Sequence, residues 1–222
     1  MSAKEAVDLL GPLNAIEQKF APKLWTKGDT SLLRRHPRVA IVGTRSPSIE
    51  GERRTRRLVK ELVKVRAVIV SGLAEGIDTI AQTQTIALGG RTIAVLGTPL
   101  DDVFPKANAP LQNRIGESDL LISEFAPKSK VSRGNFPRRN RTMALISDAS
   151  VIIEAGPTSG TISQGWEAIR LGRPLFLLKS LVDSGISWPK KMIDYGAFVL
   201  NDMADLLDNI LLTEEIDEAI PF

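Results

Sequence analysis

The chain has 222 residues, 43% of them apolar and 25% charged. That apolar share supports a substantial core in one large domain, or a domain with a small appendage, and excludes a disordered chain. Cysteine is absent and His36 is the only histidine, which removes disulfides and thiolate metal sites and argues against a histidine metal centre or a Ser-His-Asp triad.

No apolar run approaches the ~20 residues of a membrane span, and the opening MSAKEAVDLLGPLN lacks a signal-peptide core, so a cytoplasmic protein is expected. Charge is unevenly spread. From Met192 to Phe222 there are eight Asp/Glu and no Lys/Arg, leaving 29 Lys/Arg against 18 Asp/Glu elsewhere. A cationic body with an acidic tail suits a polyanionic partner, although ordinary solubility charge reads the same way.

Residues 1–36 read as a helical or irregular lead-in, with turn residues at Pro12–Asn14 and Trp25–Asp29 around scattered apolar anchors. The regular part, 37–222, begins with the short apolar run Val39-Ala40-Ile41-Val42, a buried parallel strand by length and β-branching. Residues 50–65 place Leu58, Leu62 and Val65 on one helical stripe, with Arg53, Arg54, Arg56 and Arg57 largely opposite. Strand and helix then alternate. Strands are expected at 67–70, 91–96, 119–123, 150–154, 174–178 and 197–200. Helices are expected at 77–88, after the 97–108 loop, at 138–147, from the 156–160 turn to Leu171, and at about 202–212. Residues 124–136 read as a long loop, and the stretch around Trp188-Pro189 as broken. The pattern predicts an α/β fold, one mainly parallel sheet with helices on both faces.

In such a sheet ligands sit at the carboxyl ends of strands, against helix N-termini. The residues there are Gly43-Thr44-Arg45-Ser46, Ser71 to Asp78, Gly97-Thr98-Pro99, Ser123-Glu124 and Ala155 to Thr161. Glycine and hydroxyl residues with one arginine suit an anion held by backbone N–H groups and a guanidinium. Glycine also simply permits tight turns, but the recurrence over five strand ends favours a phosphate site. Neither G-x-G-x-x-G nor a P-loop motif occurs, which disfavours a dinucleotide oxidoreductase and a P-loop NTPase. Arg133 to Arg141 is the densest cationic stretch. Its arginines suit phosphates, and Phe136 suits either stacking on an unpaired base or anchoring the loop in the core.

Ile41-Val42-Gly43-Thr44-Arg45, Val70 to Asp78 (VSGLAEGID), Ile122-Ser123-Glu124 and Phe136 to Arg141 (FPRRNR), with the looser Gly160 to Pro174, resemble the DprA/Smf family over roughly 38–178. The resemblance implies an extended Rossmann-like fold and sequence-nonspecific single-stranded DNA binding. It also implies association with a RecA-type recombinase in natural transformation or recombination, a homodimer, and no catalytic activity or cofactor. It implies DNA contacts from Gly43, Thr44, Arg45, Ser71, Gly72, Phe136, Arg138, Arg139 and Asn140; Lys106 and Lys179 join these on spacing alone.

The sequence also departs from the family pattern. Gln82 replaces a usual His, Ser159-Gly160-Thr161-Ile162-Ser163 replaces S-G-S-L-I-T, and Lys179-Ser180 replaces P-G at a strand end. A short form without a winged-helix tail is expected. A nucleotide sensor or phosphoribohydrolase-like protein of the same fold is the alternative, but Gln164 stands where the LOG-type turn P-G-G-x-G-T-x-x-E carries its carboxylate. Leu206, Leu207, Ile210 and Leu211 form an apolar stripe on the last helix, for the core or for a second copy.

Overall fold

The computed structural model describes residues 3–218, with side chains as far as Ile210. The lead-in carries more order than its sequence suggests. It comprises β1 (Lys4–Glu5), α1 (Ala6–Leu10), α2 (Ala15–Phe20), β2 (Lys23–Gly28) and a 3₁₀ turn at Thr30–Arg34. A capping box starts α2: Asn14 Oδ1 accepts from the Ile16 and Glu17 N–H groups at 2.9 Å, and Glu17 returns the bond to Asn14 N. Two apolar residues between lysines are a weak strand signal. Pairing with the sheet decides the matter for β2, because Leu24 becomes fully buried there.

The remaining strands are β3 (Arg38–Val42), β4 (Val68–Ser71), β5 (Arg91–Leu96), β6 (Leu120–Ser123), β7 (Ala149–Ile152), β8 (Leu175–Leu178) and β9 (Phe198–Leu200). The helices between and after them are α3 (Ile49–Lys64), α4 (Ile77–Ala87), α5 (Ala109–Ser118), α6 (Asn135–Leu145), α7 (Thr161–Arg170), α8 (Lys179–Val182), α9 (Ser187–Asp194) and α10 (Met203–Glu218). Sheet order among the described residues is β1-β2-β6-β5-β4-β3-β7-β8-β9. From β6 to β9 every pairing is parallel, while β2 runs antiparallel to β6 and β1 to β2.

Side-chain alternation along the strands loads both faces. Ala40, Val42, Val70, Ile93, Val95 and Ile152 meet α6, α7 and α9 on one face. Val39, Ile41, Ile69 and Val151 meet α3, α4 and α10 on the other, joined by Ala94, Leu96 and Leu121 against α5. Leu206 and Ile210 of α10 belong to this core, and Leu207 packs against it; the Leu211 side chain and residues 219–222 lie outside what is described.

Two expectations need correction, for one reason. Helix α6 begins at Asn135, so Phe136 belongs to a helix and not to the end of a loop, and the Trp188-Pro189 stretch lies in α9. In both cases a proline sits in the first helical turn, where its missing N–H has no intrahelical partner to lose. Proline marks these two starts, not breaks.

At the amino ends of the strands, Arg38 is buried against Asp148, with Nη2 3.0 Å from Oδ1. Asp148 Oδ2 also takes the Arg38 backbone N–H at 2.6 Å and lies 2.9 Å from His36 Nδ1. Burial alone would raise the Asp148 pKa, but His36 and Arg38 outweigh it and hold the carboxyl below its ordinary 3.8. Its stabilisation is therefore complete above that ordinary value and is lost as pH falls through the lower folded value. Asp148→Ala is expected to cost about 3–5 kcal/mol in urea denaturation at neutral pH, because Arg38 is left buried without its counter-charge.

Candidate functional site

Strands β3 and β7 lie side by side, yet the chain leaves them in opposite directions, from β3 to β4 and from β7 to β8. Helices α3 and α7 consequently cover opposite faces, and a crevice opens beyond the strand ends at this switch point. It forms a cavity of about 370 Å³ walled by Gly43, Thr44 and Arg45 after β3, by Phe136 and Asn140 of α6, and by the Gly156–Thr161 turn leading into α7.

The β3 turn is held from several sides. Thr44 N donates to Glu154 O at 2.7 Å, and Ile77 N donates to Thr44 O at 3.1 Å. The Glu154 carboxylate accepts the Ser48 hydroxyl at 2.7 Å, and that hydroxyl accepts Gly51 N to cap α3. What remains free is Arg45, exposed and without a paired carboxylate among the described residues. Facing it, Ser159 Oγ accepts Thr161 N, and Thr161 Oγ1 donates to Gly43 O at 3.2 Å. Asn140 Nδ2 donates to Ser163 Oγ at 2.6 Å and to Gly160 O at 3.2 Å, tying α6 to this turn. The positive end of the α7 dipole thus faces the crevice beside an unneutralised guanidinium, the arrangement that holds an anion.

Ser71, Gly72 and Arg139 brace the crevice from below. Ser71 is fully buried and its hydroxyl donates to Ile41 O at 2.7 Å. Gly72 N donates to Asp78 Oδ2 at 3.1 Å. Arg139, 7% exposed, donates through Nη1 to Gly72 O and to Val95 O, bridging the ends of β4 and β5. Burial raises the Asp78 pKa against the pull of Arg139, and burial lowers that of Arg139 against the support of Asp78. The positive charge of Arg45 lowers Arg139 further, so an anion bound at Arg45 relieves repulsion between the two arginines.

Arg138, by contrast, points outward, 3.0 Å from Glu124 and over the Phe125 ring at 5.2 Å. Lys106 is exposed beside Pro105. The structure does not bring Lys179 to the crevice: it lines a separate cavity with Arg54 and Arg57, and pairs with Asp183 at 3.3 Å.

A second slot, about 190 Å³, opens beside the first and shares Arg45, Ala74, Phe136 and Arg139 with it. Phe104, 48% exposed, stands 5.5 Å from Phe136 with the rings tilted by 50°. Phe136 both anchors and lines: a Cβ on Gly97 would lie 2.7 Å from its ring, so glycine is needed for this approach. Sequence reasoning missed Phe104 and Glu75 of this slot. An aromatic inside the Pro99–Pro105 loop was the signal for the first; the second sits in the strand-end turn Ser71 to Asp78, but as a carboxylate in a stretch read for anion binding it was passed over.

The sheet order and the cationic crevice at its switch point define a Rossmann-like α/β protein whose strand-end residues suit an anion. Within that class the chain belongs to the DNA recombination-mediator protein A family, whose profile matches residues 11–211. It is 32% identical over 188 residues to DNA processing protein DprA of Bacillus subtilis, covering 84% of this chain but 63% of that one. It therefore spans less than two thirds of that curated relative. The X-ray structure of DNA processing protein A from Streptococcus pneumoniae matches with a TM-score of 0.82 at 34% identity, over 94% of this chain and 74% of that one. The Helicobacter pylori protein, whose structure describes a single-stranded DNA binding mode, matches with a TM-score of 0.77 at 31% identity, over 96% of each chain.

Stability measurements separate brace from contact. Arg139→Gln is expected to lower unfolding free energy by about 3–5 kcal/mol, since Asp78 loses its buried counter-charge. Arg45→Ala is expected to stay within ~0.5 kcal/mol of the parent in the same denaturation experiment.

Proposed function

We propose that the protein binds single-stranded DNA across the switch-point crevice. Arg45 and the turn before α7 take phosphates, and an unpaired base stacks on Phe136 and Phe104. The observation that carries this reading is the position of Arg45, an exposed, unpaired guanidinium shared by the polar crevice and the aromatic slot. Ring faces receive bases that are free of a complement, which favours a single strand over a duplex. Gly43, Thr44 and Asn140 shape the phosphate site, Ser71, Gly72 and Arg139 position it, Lys106 adds charge at its rim, and Arg138, paired with Glu124, stands outside it. Family membership and the likeness to the Helicobacter protein support the reading.

The physiological setting that follows is recombination or DNA uptake in the cytoplasm, with a RecA-type recombinase and a second copy of the chain as partners. The protein acts by binding, without turnover. Glu154 is engaged by Ser48, and Glu167 by Arg141 and Arg170, while the buried Gln164 donates to Ser150 Oγ at 3.2 Å. Among the described residues, every carboxylate beside this turn is engaged, leaving none to serve a phosphoribohydrolase.

Salt-titrated anisotropy with labelled oligo-dT tests the proposal. Affinity is expected to fall with salt, with a log–log slope that becomes shallower by about 0.7 in Arg45→Ala. Phe136→Ala is expected to lose ~1–3 kcal/mol without changing the slope. Undetectable binding at low salt, or release of free base from nucleoside monophosphates, overturns the reading.

A further inference from the structure

The aromatic slot contains a group that phosphate binding does not explain. Glu75 lines it together with Phe104, Pro105, Phe136 and Gly97. Its carboxylate is exposed and meets no cation or hydrogen-bond donor among the described residues, although Arg45 lines the same slot. The turn that carries it is fixed. Leu73 and Gly76 both adopt positive φ, 56° and 76°. Asp78 Oδ2 accepts from Gly72 N at 3.1 Å and from Ala74 N at 3.4 Å, and Thr79 Oγ1 donates to Ala74 O at 2.6 Å. Gly76 lies so close to the backbone of Arg45 that a Cβ there would come within 2.6 Å of it. A rigid support therefore presents a negative charge inside a cationic surface.

A carboxylate repels phosphate and attracts N–H groups lying in its plane. The edge of a base stacked on the Phe136 and Phe104 rings is the surface that reaches such a group, and in a single strand that edge is unpaired. The four bases differ in what they present. Guanine carries two adjacent donors, N1–H and N2–H₂, which match the two carboxylate oxygens. Cytosine and adenine carry an amino donor next to a ring-nitrogen acceptor. Thymine carries one N–H flanked by two carbonyl oxygens that the carboxylate repels.

Building on the strand-binding reading above, we propose that Glu75 makes the slot selective for guanine, with its two oxygens accepting from N1–H and N2–H₂ of one base per site. The phosphate contacts stay indifferent to sequence, so selection acts at a single nucleotide.

The test is competition binding with oligo-dT in which one central thymidine is replaced by dG, dC, dA or deoxyinosine, the last lacking the N2 amino group. The dG oligonucleotide is expected to bind roughly tenfold more tightly than all-dT, the lower part of the range for a bidentate contact, with deoxyinosine between them. Glu75→Gln and Glu75→Ala are expected to remove most of that preference, so that the dG and all-dT oligonucleotides then bind within about twofold of each other. Phe104→Ala is expected to weaken every oligonucleotide alike. Equal affinity for dG and all-dT in the parent protein overturns the proposal, as does a guanine preference that survives both Glu75 variants. Uniform tightening of every oligonucleotide by Glu75→Gln, the mark of simple charge repulsion, overturns it too. Loss of oligo-dT binding in the parent protein would instead refute the strand-binding reading beneath it.

Discussion

The crevice keeps its shape because one guanidinium is buried beneath it. Arg139 enters from α6, on one side of the sheet, and its Nη1 reaches the carbonyls of Gly72 and Val95 where β4 and β5 end. Gly72 follows the last residue of β4, and a carbonyl left unpaired there would carry the cost of a buried acceptor. Asp78, at the start of α4 on the opposite face, supplies the counter-charge while collecting the N–H groups of Gly72 and Ala74. Helices from both faces are thereby tied through the strand ends. The Ala74 turn, which borders both the crevice and the slot, is held by that tie through Asp78.

This division of labour explains which parts of the site could be read from sequence. Parallel strands were legible because they are short, largely apolar runs; β3, β5 and β7 needed no tertiary information. Arg45 was legible because an arginine directly after a strand has few structural uses. Ser71 and Arg139 are another matter. A buried serine bonded to Ile41 O and an arginine spent on carbonyls have the same letters as a phosphate contact, and only burial separates them. Glu75 and Phe104 were hidden for the converse reason. Their partners in space, Phe136 and Arg45, lie far away in the chain, and no local spacing announces a slot built from three separate loops. Strand β2 was missed because its identity comes from pairing with β6 and not from its own composition.

Charge followed a similar course. By sequence the acidic tail and the cationic body look like two opposed regions. In the fold they lie together: α10 packs Leu206 and Ile210 into the same core as Leu58 and Leu62 of α3, and Asp202 shares a cavity with Arg54 and Arg57. The arginine-rich helix is further balanced within itself, Arg53 and Arg54 by Glu50 at 3.1 and 3.4 Å and Arg56 by Glu52 at 4.0 Å. Three of the four arginines in the densest cationic stretch are likewise spent at home. Arg138 serves Glu124, Arg139 serves the strand ends, and Arg141 serves Glu167 while stacking on Phe20 of the lead-in.

A count of arginines therefore says little about where an anion goes; what matters is which of them the fold leaves uncompensated. At the crevice that is Arg45, and its neighbours make the consequence specific. On one side lie hydroxyls and a helix N-terminus, which take a phosphate whatever base it carries. On the other lie two rings and a carboxylate that no cation neutralises, surroundings a phosphate avoids and a base edge can use. On the proposed strand-binding reading, a single exposed arginine between two such chambers would sort the two halves of a nucleotide, the backbone held by charge and the base directed to the neighbouring slot of rings and carboxylate.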